Sequence, residues 1–582
     1  MTTLKLELSD SERESIIRDK IIPKSTESIS NIYTDLNIFN NIYDSTNELV
    51  SKSLFDNINL TYTNIGKIKL QDILLNPTDD INTLLKRQSI IKKFIQYEIV
   101  CEEVTKQLEI LNKTETSLIW FWKNLDKETI QMVQLVYFQN RFLQSYNRHD
   151  TALNILNDFN IIYSPIISIL SPIIIIVIPF IFLKFLNIEI DLSFDTYLKL
   201  VNNAVDFTSA FTNNSVIKYI IKIIWYALTI HNIYNSFEIA ISRYNIINTL
   251  FSRIKDVTKF VMACKKIDAI VCDSNVFDNK LKDLSIFLEM FDHECFKDDL
   301  DLFSNKGHIL HSFQWFGLYK NKFIEMLDYI GKIDAYLSIS KLYIQNMVSK
   351  LKFSFANYIV NDTPVVKIKK LWNPILDKKN VVWNNYNNEN TVNIITGPNA
   401  SGKSNYIKNI VISILLSQTF GISCCSNIKL TPFNIIDTYI NIPDCIGRES
   451  LFEAEMNRSY KYIEKIKKND KFSFVIMDEI FTGTNTKEGL SAAYAICKEL
   501  LKYKNNITII TTHFNLLTSI NNIENYKTII NRDDKNNIIY TYKIVKGISN
   551  DNIAIELLKN KGFNNDIIRM ANNIYNKLYN QL

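Results

Sequence analysis

Eight consecutive residues, Gly397, Pro398, Asn399, Ala400, Ser401, Gly402, Lys403 and Ser404, have the types and spacing of a loop that grips phosphate. Its two glycines let the backbone turn so that successive N–H groups point at phosphate oxygens. Lys403 is placed to reach the outer phosphates of a nucleoside triphosphate such as ATP, and Ser404 offers a hydroxyl to Mg2+. An ordinary glycine turn ahead of a helix would need neither the lysine nor the hydroxyl. Asp478 and Glu479 close a second apolar run, Phe472 to Met477. Asp478 suits the Mg2+ shell, and Glu479 suits the orientation or deprotonation of an attacking water. His513 closes a third run, Ile507 to Thr512. A lone histidine is usually structural, but at the end of a strand in the same sheet it reads as a sensor of the γ-phosphate.

The elements that must position these groups are legible around them. Val392 to Thr396 reads as a strand entering the loop, and Asn405 to Leu416 as a buried helix leaving it. The helix adds its positive dipole end to the loop. Three buried strands ending at Thr396, Asp478 and His513 predict a parallel sheet whose carboxyl ends share one crevice.

With these pieces in order, the chain resembles the MutS family from about residue 365 to its C-terminus. The nucleotide loop, Thr396 to Ser404, and the extended acidic segment, Asp478 to Gly489, are similar to that family's. So are Ser450-Leu451-Phe452-Glu453-Ala454-Glu455-Met456, Thr512-His513-Phe514, and Tyr542-Lys543-Ile544 with Gly547-Ile548-Ser549. The resemblance implies an ABC-type ATPase that works as a homodimer with composite sites. Ser450 would then contact the γ-phosphate held by the other subunit, and the target would be DNA, in mismatch repair or recombination. Weaker upstream matches, Thr63 to Gly66, Leu74 to Pro77, Lys86-Arg87-Gln88 and Ile333 to Leu337, resemble the ends of the family's helical core. The chain also departs from the pattern. About sixty residues precede that core, too few for a mismatch-reading domain and its connector, and no Phe-x-Glu wedge occurs among them. Thr482 stands where the family usually has Arg. The adenine-stacking aromatic has no secure match, Trp383 being one candidate.

Composition bounds the rest. The 582 residues predict several domains, and 47% aliphatic and aromatic content is ample for cores. With 66 basic against 61 acidic residues the charge is nearly balanced, so any DNA contact needs a local patch. Eight cysteines lack any C-x-x-C spacing, which predicts neither a zinc site nor a disulfide framework but reduced thiols inside a cell. Residues 1–10 carry acids and no apolar run, unlike a secretory signal.

One segment belongs to none of this. Residues 161–183 carry no charge, are long enough to cross a bilayer, and place Pro165, Pro172 and Pro179 seven residues apart. Each proline would cost about 3 kcal/mol in a soluble helix. A second apolar run, 216–234, could pair with the first as a transmembrane hairpin. A buried or oligomer-facing hairpin is the other reading. The expected organisation is therefore a helical N-terminal extension over 1–60, then a mostly α-helical core-like region over 61–360 with the apolar insert near 161–235. An α/β ATPase domain with a helical dimerisation tail follows over 361–582. The expected activity is Mg2+-dependent ATP hydrolysis driving a conformational clamp on DNA. The alternative is a membrane-anchored motor of the same class, its ATPase domain on the cytosolic side, acting on a membrane or protein partner.

Overall fold

A computed structural model of the chain describes all residues except 1–7, 23–30, 44–48, 186–192, 206–214, 278–280, 282–283, 377–378, 380, 441–450, 535–536, 550–555, 557–561 and 580–582. The chain forms two compact units. The first comprises residues 1–21, 106–272 and 279–328, and the second 22–105, 273–278 and 329–582. The first is helical; the second combines helices with mixed sheets.

Among the described residues of 1–60, helices occur as expected, with a small sheet beside them. Short helices alternate with a two-stranded pair, β1 (Ile42–Tyr43) and β2 (Leu49–Ser51).

In the helical unit, Ser215–Asp273 is a single helix of 59 residues. Its C-terminal half buries Ile247, Leu250, Ile254, Val257, Val261, Cys264, Ile267 and Val271, a stripe at helical spacing. Its N-terminal half does the reverse, exposing Tyr219, Ile220, Ile223, Ile224, Trp225, Tyr226 and Leu228. The charge-free segment is also helical: the helix Asp150–Asp158 leads through a π-turn over Phe159–Tyr163 into Ser164–Phe185. Pro165 and Pro172 are accommodated locally. The π-turn sits just ahead of Pro165, where a normal helical hydrogen bond is missing. Pro172 leaves the Ser168 carbonyl without its usual amide donor, and the Ser171 hydroxyl donates to that oxygen at 2.8 Å. The hydroxyls of Ser168 and Ser236 lie 2.7 Å apart, joining this helix to the long one. The predicted hairpin segments are thus both helical, the second as part of a much longer rod.

The second unit is built on two sheets. One has the order β5-β4-β8-β3-β7, from β3 (Ser354–Tyr358), β4 (Val366–Leu371), β5 (Asn384–Asn387), β7 (Ile422–Ser423) and β8 (Asn427–Leu430). The other has the order β13-β12-β6-β11-β10-β9, from β6 (Val392–Thr396), β9 (Ile435–Tyr439), β10 (Ser473–Asp478), β11 (Asn506–Thr511), β12 (Ile523–Arg532) and β13 (Ile538–Lys546). All its neighbours run parallel except β12 with β13. Both β6 and β11 are buried throughout, as near-continuous apolar strands of a parallel sheet should be. The helices Lys403–Thr419, Leu451–Lys468 and Thr486–Leu500 cover it. A core of Val392, Ile394, Val475, Met477, Ile510, Cys497 and Leu500, among others, fills the space beneath.

Upstream segments pack into this same unit. The carboxylate of Asp334 accepts hydrogen bonds from the Thr63 amide at 2.9 Å and hydroxyl at 2.8 Å, and a Cβ on Gly66 would lie 2.1 Å from it. Gln88 donates to the carbonyls of Ala356 and Gly421 at 2.8 Å each, and Arg87 to that of Thr419 at 2.6 Å. At the edge strand β9, the helix Ile32–Asp35 supplies a buried carboxylate. Asp35 receives Arg458 at 2.6 Å, the Thr438 hydroxyl at 2.7 Å and the Ile440 amide at 3.3 Å. Burial raises the Asp35 pKa despite the opposing pull of Arg458. An ion pair of this kind is costly to break and cheap to replace whole. Arg458→Met should therefore lower the melting temperature more than Arg458→Met combined with Asp35→Leu, as read by scanning calorimetry. Equal losses would show that the pair is not coupled.

Candidate functional site

The parallel register determines which side chains meet. Asp478 of β10 pairs with Thr511 of β11, and Thr511 pairs with Ile395 of β6. The strands therefore end level. The loop after β6, the acids after β10 and His513 after β11 emerge along one edge of the sheet.

The loop has the backbone that its glycines predict. Gly397 has φ +153° and Gly402 φ +93°, and Ala400 between them has φ +60°. A Cβ on Gly397 would lie 2.1 Å from the Thr528 hydroxyl oxygen, so this position admits no larger residue without movement. Gly402 caps the 17-residue helix Lys403–Thr419 and lies against the Tyr542 ring. Pro398 and Ser401 are buried, whereas Asn399 and Ala400 are exposed. The Ser401 hydroxyl closes the loop onto the Pro398 carbonyl at 2.7 Å. Lys403 is buried at the first helical position and donates to the carbonyls of Gly397 at 2.8 Å and Pro398 at 3.0 Å. Ser404 follows it, half-buried.

Glu479 is the meeting point. Its Oε1 lies 3.7 Å from Lys403 Nζ and 3.0 Å from His513 Nε2. The hydrogen bond from His513 holds its pKa below the usual carboxylate range; burial opposes this, and the charges of His513 and Lys403 reinforce it. Burial lowers the Lys403 pKa, while Glu479 and Asp478 pull it up. Glu479 also sits at φ +50° and Phe481 at φ +58°, uncommon for residues with a side chain. Such strain persists where the surroundings fix it. Here the Glu479 amide donates to the Thr511 carbonyl at 3.1 Å and hydroxyl oxygen at 3.0 Å.

The structure thus brings Lys403, Asp478, Glu479 and His513 together beside the loop. Ser450 lies outside the described residues. Trp383 is half-buried at the start of β5, with the Lys370 ammonium 5.6 Å above its ring. Sequence reading missed Thr511, whose hydroxyl bonds Asp478 Oδ1 and also receives the Glu479 amide. It missed Thr528, the wall against Gly397, and quoted Tyr542 in the late-strand motif without its place against Gly402. It also gave no role to Glu455, buried on Leu451–Lys468; burial raises its pKa, against the Tyr439 hydroxyl and the amides of Phe481 and Gly483. The signal for Thr511 lay in strand pairing, because a threonine level with Asp478 on the neighbouring strand must face it.

Comparison with known proteins finds a family match within the second unit. Residues 393–579 match the family described as MutS domain V. Over 44% of its length the chain is 30% identical to 31% of the DNA mismatch repair protein MutS of Thermotoga maritima. It is 28% identical over 44% of its length to 26% of DNA mismatch repair protein MSH3 of Debaryomyces hansenii. With mouse MutS protein homolog 4 it shares 34% identity over 38% of this chain and 24% of the relative. The chain thus spans about a third or less of the length of these relatives. Residues 393–579 are similar to MutS domain V, and the chain shares part of its length with relatives named as DNA mismatch repair proteins.

Proposed function

We propose that the second unit binds and hydrolyses ATP, and that nucleotide state drives a homodimeric clamp on DNA of the mismatch-repair or recombination type. The observation that carries this reading is the convergence of Lys403 and His513 on one oxygen of Glu479, beside a glycine loop at a helix N-terminus. The residues present fit the ligand. A buried ammonium whose hydrogen-bond partners are the loop's own carbonyls can exchange them for phosphate oxygens. The loop amides and the helix dipole complement the remaining negative charge. Ser404 and Asp478 would hold Mg2+, which would neutralise charge on the phosphates. Thr511 holds the Asp478 carboxylate and the Glu479 backbone in fixed relation.

Glu479, kept ionised by His513 and Lys403, is the group to orient water and take its proton. His513 bonds the same carboxylate, so it can report an incoming γ-phosphate to the base. Ser450 would complete the partner subunit's site. The C-terminal helix Asn565–Tyr579 exposes Ile567, Met570 and Ile574, an apolar stripe suited to dimerisation. DNA is the target that the names of its relatives indicate.

A second reading adds a membrane and is favoured by a separate observation. Ile166, Ile169, Ile173, Ile178, Ile181 and Phe182 of one apolar helix are exposed, as are Ile223, Trp225, Leu228 and Ile230 of its neighbour. A helical stretch over Asp150–Ile174 is long and apolar enough to cross a bilayer, with only 22% of its most apolar window buried. Large contiguous apolar surface marks an interaction site, and the serine pair between the helices suits a lipid setting.

Three outcomes follow. Lys403→Ala should lose ATP binding, whereas Glu479→Gln should keep it and lose turnover by at least 100-fold, the order expected for removing a general base. ATP binding by isothermal titration and turnover by phosphate release check both, and unchanged turnover in either variant would refute the assignment. His513→Ala removes the main cause of the low Glu479 pKa. The acid limb of the turnover profile should then move to higher pH, because the base becomes protonated sooner as pH falls. For the membrane reading, the protein should resist alkaline carbonate extraction from the membrane fraction, and Ile173→Asn with Ile223→Asn should release it. Full extraction of the unaltered protein would exclude insertion.

A further inference from the structure

Apart from the nucleotide site, the helical unit gathers its own chemically competent group. The ligand atoms of His293, Cys295 and His308 all lie within 4.8 Å of one another. The cysteine pattern alone does not suggest this, because the partners of Cys295 are histidines from two separate segments. His293 and Cys295 flank Glu294 in a short 3-10 turn, and His308 lies in the first turn of the helix Lys306–Tyr319. The two imidazole rings stack with centroids 3.9 Å apart.

The surroundings orient these groups. The His293 Nδ1 accepts the Cys295 amide at 3.2 Å, which leaves its Nε2 as the outward donor atom. The Asp150 carboxylate takes His308 Nδ1 on one oxygen at 2.7 Å and His311 Nδ1 on the other at 2.6 Å. A carboxylate behind an imidazole is the outer-shell arrangement that fixes tautomer and raises basicity in metal-ligating histidines. The fold protects this contact. A Cβ on Gly307 would lie 1.8 Å from the Asp150 carbonyl oxygen, so the glycine lets the two helix starts meet. His308 Nε2 faces the Met290 carbonyl at 3.3 Å, a contact that a cation would replace.

We propose that His293, Cys295 and His308 form a Zn2+ site of two imidazole nitrogens and one thiolate, with Asp150 as its orienting carboxylate. Zinc-bound nitrogen and sulfur atoms lie roughly 3.3–3.6 Å apart, given Zn–N near 2.0 Å and Zn–S near 2.3 Å. Side-chain rotations of about an ångström would therefore close the group. The N and S donors select a borderline-soft ion over Mg2+ or Ca2+. Three protein ligands leave a fourth position for water or a further ligand. Binding forms one Zn–S and two Zn–N bonds and releases the thiol proton to solvent, with no change of redox state. The site would clamp the turn at 293–296 to the start of the helix at 306 and stiffen the helical unit.

The test is metal content and spectroscopy of the full-length protein. After incubation with Zn2+ and gel filtration, elemental analysis should find about one Zn2+ per chain. Cys295→Ser combined with His308→Ala should abolish it, whereas Lys403→Ala should leave it unchanged. Because the double variant could misfold, the unaltered protein loaded with Co2+ provides an independent reading. It should show thiolate-to-cobalt charge transfer and intense tetrahedral d–d bands, both removed by EDTA. Chelation should also lower the melting temperature of the unaltered protein and leave that of the double variant unmoved. Zinc at background level, or a cobalt spectrum without thiolate character, would overturn the proposal and leave a simple Asp150–histidine ion pair.

Discussion

The candidate site depends on one constraint, the in-register parallel pairing of β6, β11 and β10. Side chains on a strand alternate faces, so a slip of one residue would turn Asp478 away from Thr511. Thr511 would then no longer bond the carboxylate beside it or anchor the amide of Glu479. Glu479 would lose the support for its positive φ, and with it the direction that carries its carboxylate to Lys403 and His513. The buried apolar faces of these strands enforce the register. The chemistry at the edge therefore rests on the packing of Ile394, Ile476, Ile509 and their neighbours.

Much of this was legible in the sequence because its signals are local. The loop, its strand and its helix are contiguous, and Val392–Thr396 is the strand expected. The acids close β10 as their position after an apolar run implies. What escaped was set by distant partners. Thr528 closes on the loop from β12, more than a hundred residues downstream, with no local pattern to mark it, and Tyr542, noted only as part of a late-strand motif, closes on it from β13. Asp35 reads as an ordinary polar residue in a polar stretch, yet it is buried against Arg458. The weak upstream matches gain physical meaning in the same way. Gly66 is needed because Asp334 occupies the space of its Cβ, and Gln88 donates to the Ala356 and Gly421 carbonyls from a distant part of the chain.

The helical unit shows the opposite balance. Its apolar run was conspicuous, but sequence could not say which faces would be covered. The long helix answers by burying a stripe in one half and exposing apolar residues in the other. At Pro172 a serine side chain replaces the missing amide, and ahead of Pro165 the helix takes up a π-turn. The His293, Cys295 and His308 group was invisible for a simpler reason. Its members come from two segments that only tertiary packing, made possible by Gly307 against Asp150, brings together.

The most direct test of the central claim is ATP affinity in Gly397→Ala, measured by isothermal titration with Mg2+ and paired with circular dichroism. At φ +153°, with the Thr528 hydroxyl 2.1 Å from the added carbon, the substitution disturbs the loop while leaving the strand beneath it intact. The account predicts native-like secondary structure with ATP binding reduced at least tenfold, about 1.4 kcal/mol. Undiminished affinity in a folded variant would mean that ATP is not held by this loop, and the proposed site would have to be abandoned.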